Sequence, residues 1–181
     1  IRELLVVTGS SMTVDEDEID TRLRIQALRN KLQKIHVYFI VDATASMRRY
    51  YPGIAEAINE FNEWSNTWNS GTDVTMEVGF GVYRDYADAP AGRDTEFVAR
   101  RRFDQGFGDA ISDMDCSSKN PKTPEAVYNG ILQNIESLDI DEDASNVFIL
   151  IGDEGNHADD QKGLLASDVG DKLKELNTSL F

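Results

Sequence analysis

The chain has 181 residues, 40% hydrophobic, 28% charged and 9% aromatic, which is enough for one domain with a real core. Its 18 Lys and Arg face 33 Asp and Glu, a formal charge of −15 with His neutral, so phosphate backbones and anionic membranes are repelled and nucleic acid is a poor partner. One cysteine, Cys116, excludes an internal disulfide framework and a Cys-rich zinc site, and no apolar run approaches the length of a membrane span.

In chain order, Leu4-Leu5-Val6-Val7-Thr8 reads as a short β-run closed by Gly9-Ser10-Ser11. Thr13 then offers a helix cap with Glu16 reaching back to it. Acidic residues at 15–20 sit at that helix's positive end, and Lys31 and Lys34 at its negative end. Ile25, Leu28, Leu32 and Ile35 recur at helical spacing, which predicts one apolar face. Residues 1–35 are expected to be an N-terminal strand and helix extension, or the tail of a preceding domain. The start at Ile1 and the break at Phe181 within an apolar start read as those of a fragment of a larger multidomain parent.

From His36 the pattern changes. Val37-Tyr38-Phe39-Ile40-Val41 is a continuous apolar run ending in Asp42, as expected of a central strand covered on both faces. Pro52 opens a helix whose inner stripe is Ile54, Ile58, Phe61, Trp64 and Trp68, and Asn69-Ser70-Gly71 stops it. Residues 74–83 and 96–103 read as two strands joined through a hairpin-like turn at Asp88-Ala89-Pro90-Ala91-Gly92. A polar loop spans 104–122, and Thr123-Pro124-Glu125 starts a helix with Ala126, Val127, Ile131 and Ile135 inward. Val147-Phe148-Ile149-Leu150-Ile151 is another buried strand, and a last helix over about 160–176 leads to a strand at the end of the chain. Alternating apolar strands and helices predict an α/β fold around a mostly parallel sheet with one antiparallel hairpin.

In such sheets ligands bind beyond the carboxyl ends of the central strands. Three loops bring oxygen-bearing side chains to that edge: Asp42, Thr44 and Ser46 after one strand, Thr123 ahead of a helix, and Asp153 after another strand. Two carboxylates and three hydroxyls, with no His or Cys, are a hard-oxygen set that suits Mg²⁺, Mn²⁺ or Ca²⁺ rather than zinc.

The segment Asp42-Ala43-Thr44-Ala45-Ser46 resembles the Asp-x-Ser-x-Ser signature of von Willebrand factor A (VWA) domains, with Thr44 in place of the first serine. Val82-Tyr83-Arg84-Asp85, Thr123-Pro124-Glu125-Ala126-Val127 and the strand 147–153 match further segments of that family in order and spacing. The resemblance covers residues 36–181 and implies a Rossmann-like three-layer fold, helices on both faces of a mostly parallel sheet with an antiparallel edge strand, in a domain expected to be truncated at its C-terminal end. It also implies a metal-ion-dependent adhesion site (MIDAS). Thr44 and Ser46 would bind Mg²⁺ (or Mn²⁺ or Ca²⁺) directly, Asp42 and Asp153 would hold its waters, and Thr123 would bind directly or through water. An open position would take an Asp or Glu carboxylate of a partner protein, so the implied role is a non-enzymatic adhesion or scaffold module. The setting expected is a bacterial cell envelope or secretion apparatus.

Other readings compete. Glu154, where glycine is common in the family, and Lys122 beside Thr123 depart from the pattern and favour a scaffold with a vestigial metal site. A haloacid-dehalogenase phosphatase also starts from a strand-terminal Asp, but needs a second aspartate where Thr44 stands. His157 reads as an exposed loop histidine, Asp85 as a hairpin anchor, Asp139-Ile140-Asp141-Glu142-Asp143 as a solvated acidic loop, and Arg100-Arg101-Arg102 as part of a charged edge strand.

Overall fold

A computed structural model describes residues 16–91, 95–101, 109, 112–116, 124–138, 140–176 and 178–181. The expected strand at 4–8 and the Thr13 cap lie outside these residues, as do Thr123 and most of the 104–122 loop. In chain order the elements are α1 (Glu16–Leu32), β1 (Lys34–Asp42), α2 (Tyr51–Gly71), β2 (Thr75–Tyr83), β3 (Thr95–Arg101), α3 (Val127–Ser137), β4 (Ser145–Ile151), α4 (Ala166–Glu175) and β5 (Ser179–Leu180). Short 3₁₀ turns at Ala45–Arg49 and Tyr86–Ala91 follow β1 and β2.

The strands form one sheet in the order β3-β2-β1-β4-β5. β2, β1, β4 and β5 are mutually parallel, and β3 is an antiparallel edge strand on β2 that carries Arg100 and Arg101. β1 is central because its run is apolar on both sides. Val37, Phe39 and Val41 face α2 with Ala55, Ile58, Val78, Phe80 and Val82. Tyr38 and Ile40 face the other way, with Val127, Ile131 and Ile135 of α3, Phe148, and Val169 of α4. The result is a three-layer α/β fold of the Rossmann-like type.

Glycine sets the distance between α3 and the sheet. A Cβ on Gly130 would run into Tyr83, with Cγ only 2.6 Å away, and one on Gly79 would meet Tyr38 Cδ1 at the same distance. Asn134 reaches through the gap beside Gly81 to donate to the Val82 carbonyl, 3.2 Å, and to the Gly130 carbonyl, 2.8 Å. Gly130→Ala gains about 1 kcal/mol of helix propensity but overpacks the contact with the Tyr83 side chain, which typically costs ~1–3 kcal/mol. The net expectation, read by differential scanning calorimetry, is a Tm lowered by about 2–4 °C per kcal/mol lost.

Four local expectations need correction. The apolar side of α1 is not covered: Leu23, Ile25, Leu28 and Leu32 are exposed, because α1 meets the rest of the described structure mainly through its C-terminal end, where the Lys31 carbonyl accepts from Ser145. Trp64 and Trp68 are 50% and 40% exposed rather than core. Among the described residues α2 has no neighbouring helix on its face of the sheet, and these rings pack against each other at a tilt with centroids 5.3 Å apart. The helix expected from Pro124 starts at Val127, because Glu125 is extended and bridges to Asn156. The last helix starts at Ala166, not near 160, because Asp160 closes a turn by accepting from the backbone N–H groups of Lys162 and Leu164.

Candidate metal centre

Asp42 is the last residue of β1, so the strand itself delivers its carboxylate to the carboxyl edge of the sheet. Its Oδ1 accepts the backbone N–H of Thr44 at 2.8 Å, which bends the chain, and the small Ala43 and Ala45 leave room for that bend. The Ala43 N–H donates to the Tyr83 carbonyl at 2.9 Å and ties this loop to the end of β2. Thr44 Oγ1 lies 3.1 Å from Ser46 Oγ, and Ser46 Oγ donates to Asp153 Oδ1 across 3.1 Å, although Asp153 is 107 residues away in the chain. Asp42, Thr44, Ser46 and Asp153 are therefore brought together, whereas Thr123 falls outside the described residues. Asp42 and Thr44 are buried, Ser46 and Asp153 face solvent, and the cluster is open on that side.

The donor chemistry fits a hard dication. Asp42 Oδ2 is buried and has no hydrogen-bond partner among the described residues, an arrangement that costs free energy unless something else satisfies it. Burial raises the Asp42 pKa, its hydrogen bonds with Thr44 oppose that, and the Asp153 charge raises it further. Among the described residues no three His, Cys, Asp or Glu side chains converge to hold a metal by themselves, so a bound ion would depend on the Thr44 and Ser46 hydroxyls.

Two features of the surroundings were not legible as parts of the site. Glu125 is 2% exposed, and its backbone is fastened to the loop after Asp153 by Glu125 N–H to the Gly155 carbonyl, 3.0 Å, and His157 N–H to the Glu125 carbonyl, 3.1 Å. Burial, followed by the charges of Asp42, Asp85 and Asp153, pushes its pKa up to about 8. The only advance signal was its place two residues after Thr123 in the matching segment. His157, expected to be exposed, is half-buried: its Nε2 pairs with Asp85 Oδ1 at 2.8 Å and its ring lies over Tyr86. Tyr86 in turn donates its hydroxyl to Asp160 at 2.7 Å. Burial raises the Asp160 pKa, but hydrogen bonds from Tyr86, Asn156 and two backbone N–H groups outweigh it and hold the carboxyl below its usual range. Thus Asp85 and Tyr86, just past β2, pin the loop that carries Asp153. Asp85 Oδ1 also accepts the Tyr86 N–H. Arg84 is fully buried, donates to the Asp115 carbonyl and lowers the Asp42 pKa by its charge.

A carboxyl with a folded pKa above its unfolded value contributes stability that is complete below the unfolded pKa and lost as pH rises through the folded one. Asp42 and Glu125 are both of this kind. In EDTA the melting temperature is therefore expected to fall as pH rises from about 4.5, the ordinary value, through about 8, and Glu125→Gln should flatten that slope. A Tm series across this range in both proteins measures it.

A parallel α/β sheet with Asp-x-Thr-x-Ser at the end of its central strand, facing an aspartate from the next strand, defines a VWA-type domain. The sequence matches the family described as the TssR protein VWA domain over residues 12–177, and the chain belongs to that family. A comparison with curated proteins gave no match. Among solved structures, two of proximal thread matrix protein 1 (PTMP1) from the mussel byssus are similar, with TM-scores of 0.55 and 0.51 at 12% and 13% identity. Each alignment covers 81% of this chain and 34% of the other, so this chain spans about a third of the length of PTMP1. The first of these is described as having a zinc-occupied MIDAS motif. At that identity the likeness is one of fold.

Proposed function

We propose that this chain is a metal-dependent protein-binding module within a larger protein. VWA domains are typically non-enzymatic interaction modules, and that general role follows from the family. The observation that carries the metal-dependent reading is the chain of contacts from Thr44 Oγ1 through Ser46 Oγ to Asp153 Oδ1, next to the unsatisfied Asp42 Oδ2. In this reading Thr44 and Ser46 hold the ion by their hydroxyls, Asp42 and Asp153 hold its waters, and Thr123 completes the set. When bound, the ion supplies a positive centre that draws an Asp or Glu carboxylate from a partner protein to a chain with a net charge of −15. A bacterial cell-envelope or secretion setting belongs to the same proposal, with the TssR designation of the family as its support.

The test is calorimetric titration of the metal-free protein with Mg²⁺, Mn²⁺, Ca²⁺ and Zn²⁺. It is followed by binding of peptides that present Asp or Glu, against their Asn and Gln counterparts, with and without EDTA. Saturable ion binding together with carboxylate-selective, EDTA-sensitive peptide capture supports the proposal. Absence of ion binding at millimolar concentration leaves the scaffold with a vestigial site, whose partner surface lies elsewhere. Turnover of a phosphoester dependent on Asp42 would replace both with the phosphoryl-transfer alternative.

A further inference from the structure

We propose that Glu125 is a further carboxylate of the metal centre, acting on a bound dication through its charge and intervening solvent rather than as a direct ligand. This inference rests on the metal-dependent reading above and extends it to a residue on the segment between β3 and α3.

The two backbone hydrogen bonds from Glu125 to residues 155 and 157 place it alongside the loop that begins at Asp153. Its side chain is 2% exposed and Oε2 has no hydrogen-bond partner among the described residues, as is also true of Asp42 Oδ2. Two buried carboxylate oxygens from different loops, both unsatisfied, are rare in a folded protein unless an ion or ordered water completes them. The charges acting most strongly on Glu125 are those of Asp42, Asp85 and Asp153, all of its own sign. The Tyr83 hydroxyl feels the charges of the same Asp42, Glu125 and Asp153, and a Cβ added to Gly152 would meet Tyr83 Oη and Asp42 Oδ2. A structural carboxylate would be met by a donor or a cation; the charges that act most strongly on this one are of its own sign. Among the described residues no three carboxylates are grouped so as to hold one ion by themselves, which is why the role assigned is electrostatic.

The experiment is calorimetric titration of Mg²⁺ and Mn²⁺ into wild type, Glu125→Gln, Glu125→Asp and Asp42→Asn at one fixed pH, with the melting temperature of each protein in EDTA. The expected result is a Kd about tenfold or more weaker in Glu125→Gln, roughly one elementary interaction of 1.4 kcal/mol, near-wild-type affinity in Glu125→Asp, and no loss of metal-free Tm in Glu125→Gln. Wild-type affinity in Glu125→Gln, with binding lost in Asp42→Asn, overturns the role of Glu125 and leaves the metal site standing. Equal weakening in Glu125→Gln and Glu125→Asp also overturns it, because the charge is then not what matters. Absence of binding in the wild type removes the metal-dependent reading itself.

Discussion

Mg²⁺ is expected, on the metal-dependent reading, to stabilise the wild-type protein, and Asp42→Asn to abolish that stabilisation with little change in the metal-free protein. The two halves of that expectation have separate causes. Asn keeps an acceptor for the Thr44 N–H, the 2.8 Å bond that shapes the loop, and removes a buried negative charge whose Oδ2 has no partner among the described residues. The metal-free fold therefore loses nothing that its loop geometry needs. With an ion at about a hundred times its Kd, linkage stabilises the wild type by about 2.7 kcal/mol. That corresponds to about 5–11 °C in Tm for a chain of this size. The variant lacks the charge that would offset the ion, so its Tm in Mg²⁺ should equal its Tm in EDTA. Ser46→Ala tests the same site from the exposed side, since Ser46 Oγ lies between Thr44 Oγ1 and Asp153 Oδ1. Scanning fluorimetry in Mg²⁺ and in EDTA reads both. An unchanged Mg²⁺ response in the two variants removes this cluster from any metal-binding account.

The largest loss of stability is expected from Phe148→Ala. Phe148 is fully buried on β4 and stacks on Tyr38 of β1 with ring centroids 4.9 Å apart, under Ile131, Ile135 and Leu138. Removing the ring leaves a cavity that a sheet strand on one side and α3 on the other cannot close, and such truncations cost about 3–5 kcal/mol. Against a total of about 5–15 kcal/mol for a typical domain, a large fraction of the population unfolds at moderate urea. Ile149→Ala is the control on the next residue. Ile149 points to the opposite face and is half-buried, on a groove of about 470 Å³ that it shares with Phe39, Ile54 and Phe61. Its truncation should cost well under half as much. Equal losses in urea titrations would contradict the assignment of faces.

That pair of adjacent residues shows the limit of what the amino-acid pattern conveys. Val147-Phe148-Ile149-Leu150-Ile151 announces a strand with apolar residues on both faces, and the strand is there. It does not say that one face lies under two helices while the other is only partly covered. The same limit explains α1 and α2. Leu28 and Trp64 fall on apolar stripes by periodicity, yet both are exposed, since periodicity records the character of a face and not the presence of a neighbour. Glu125 reads as the third residue of a helix start. It is instead a buried, extended residue because its backbone groups are taken by the loop at 155–157.

By itself the order of residues determined the central strand, the alternation of helices and strands, and the short motif that bends the chain at Asp42, Thr44 and Ser46. These are local matters, decided by side-chain polarity, small residues and turn chemistry within a few positions of one another. Only the tertiary structure decided that Ser46 meets Asp153, that Asp85 holds His157, and that Glu125 is buried among acids of other loops. Those pairings join positions tens of residues apart, and the packing of helices onto a twisted sheet creates them; no local preference encodes a distance across the fold.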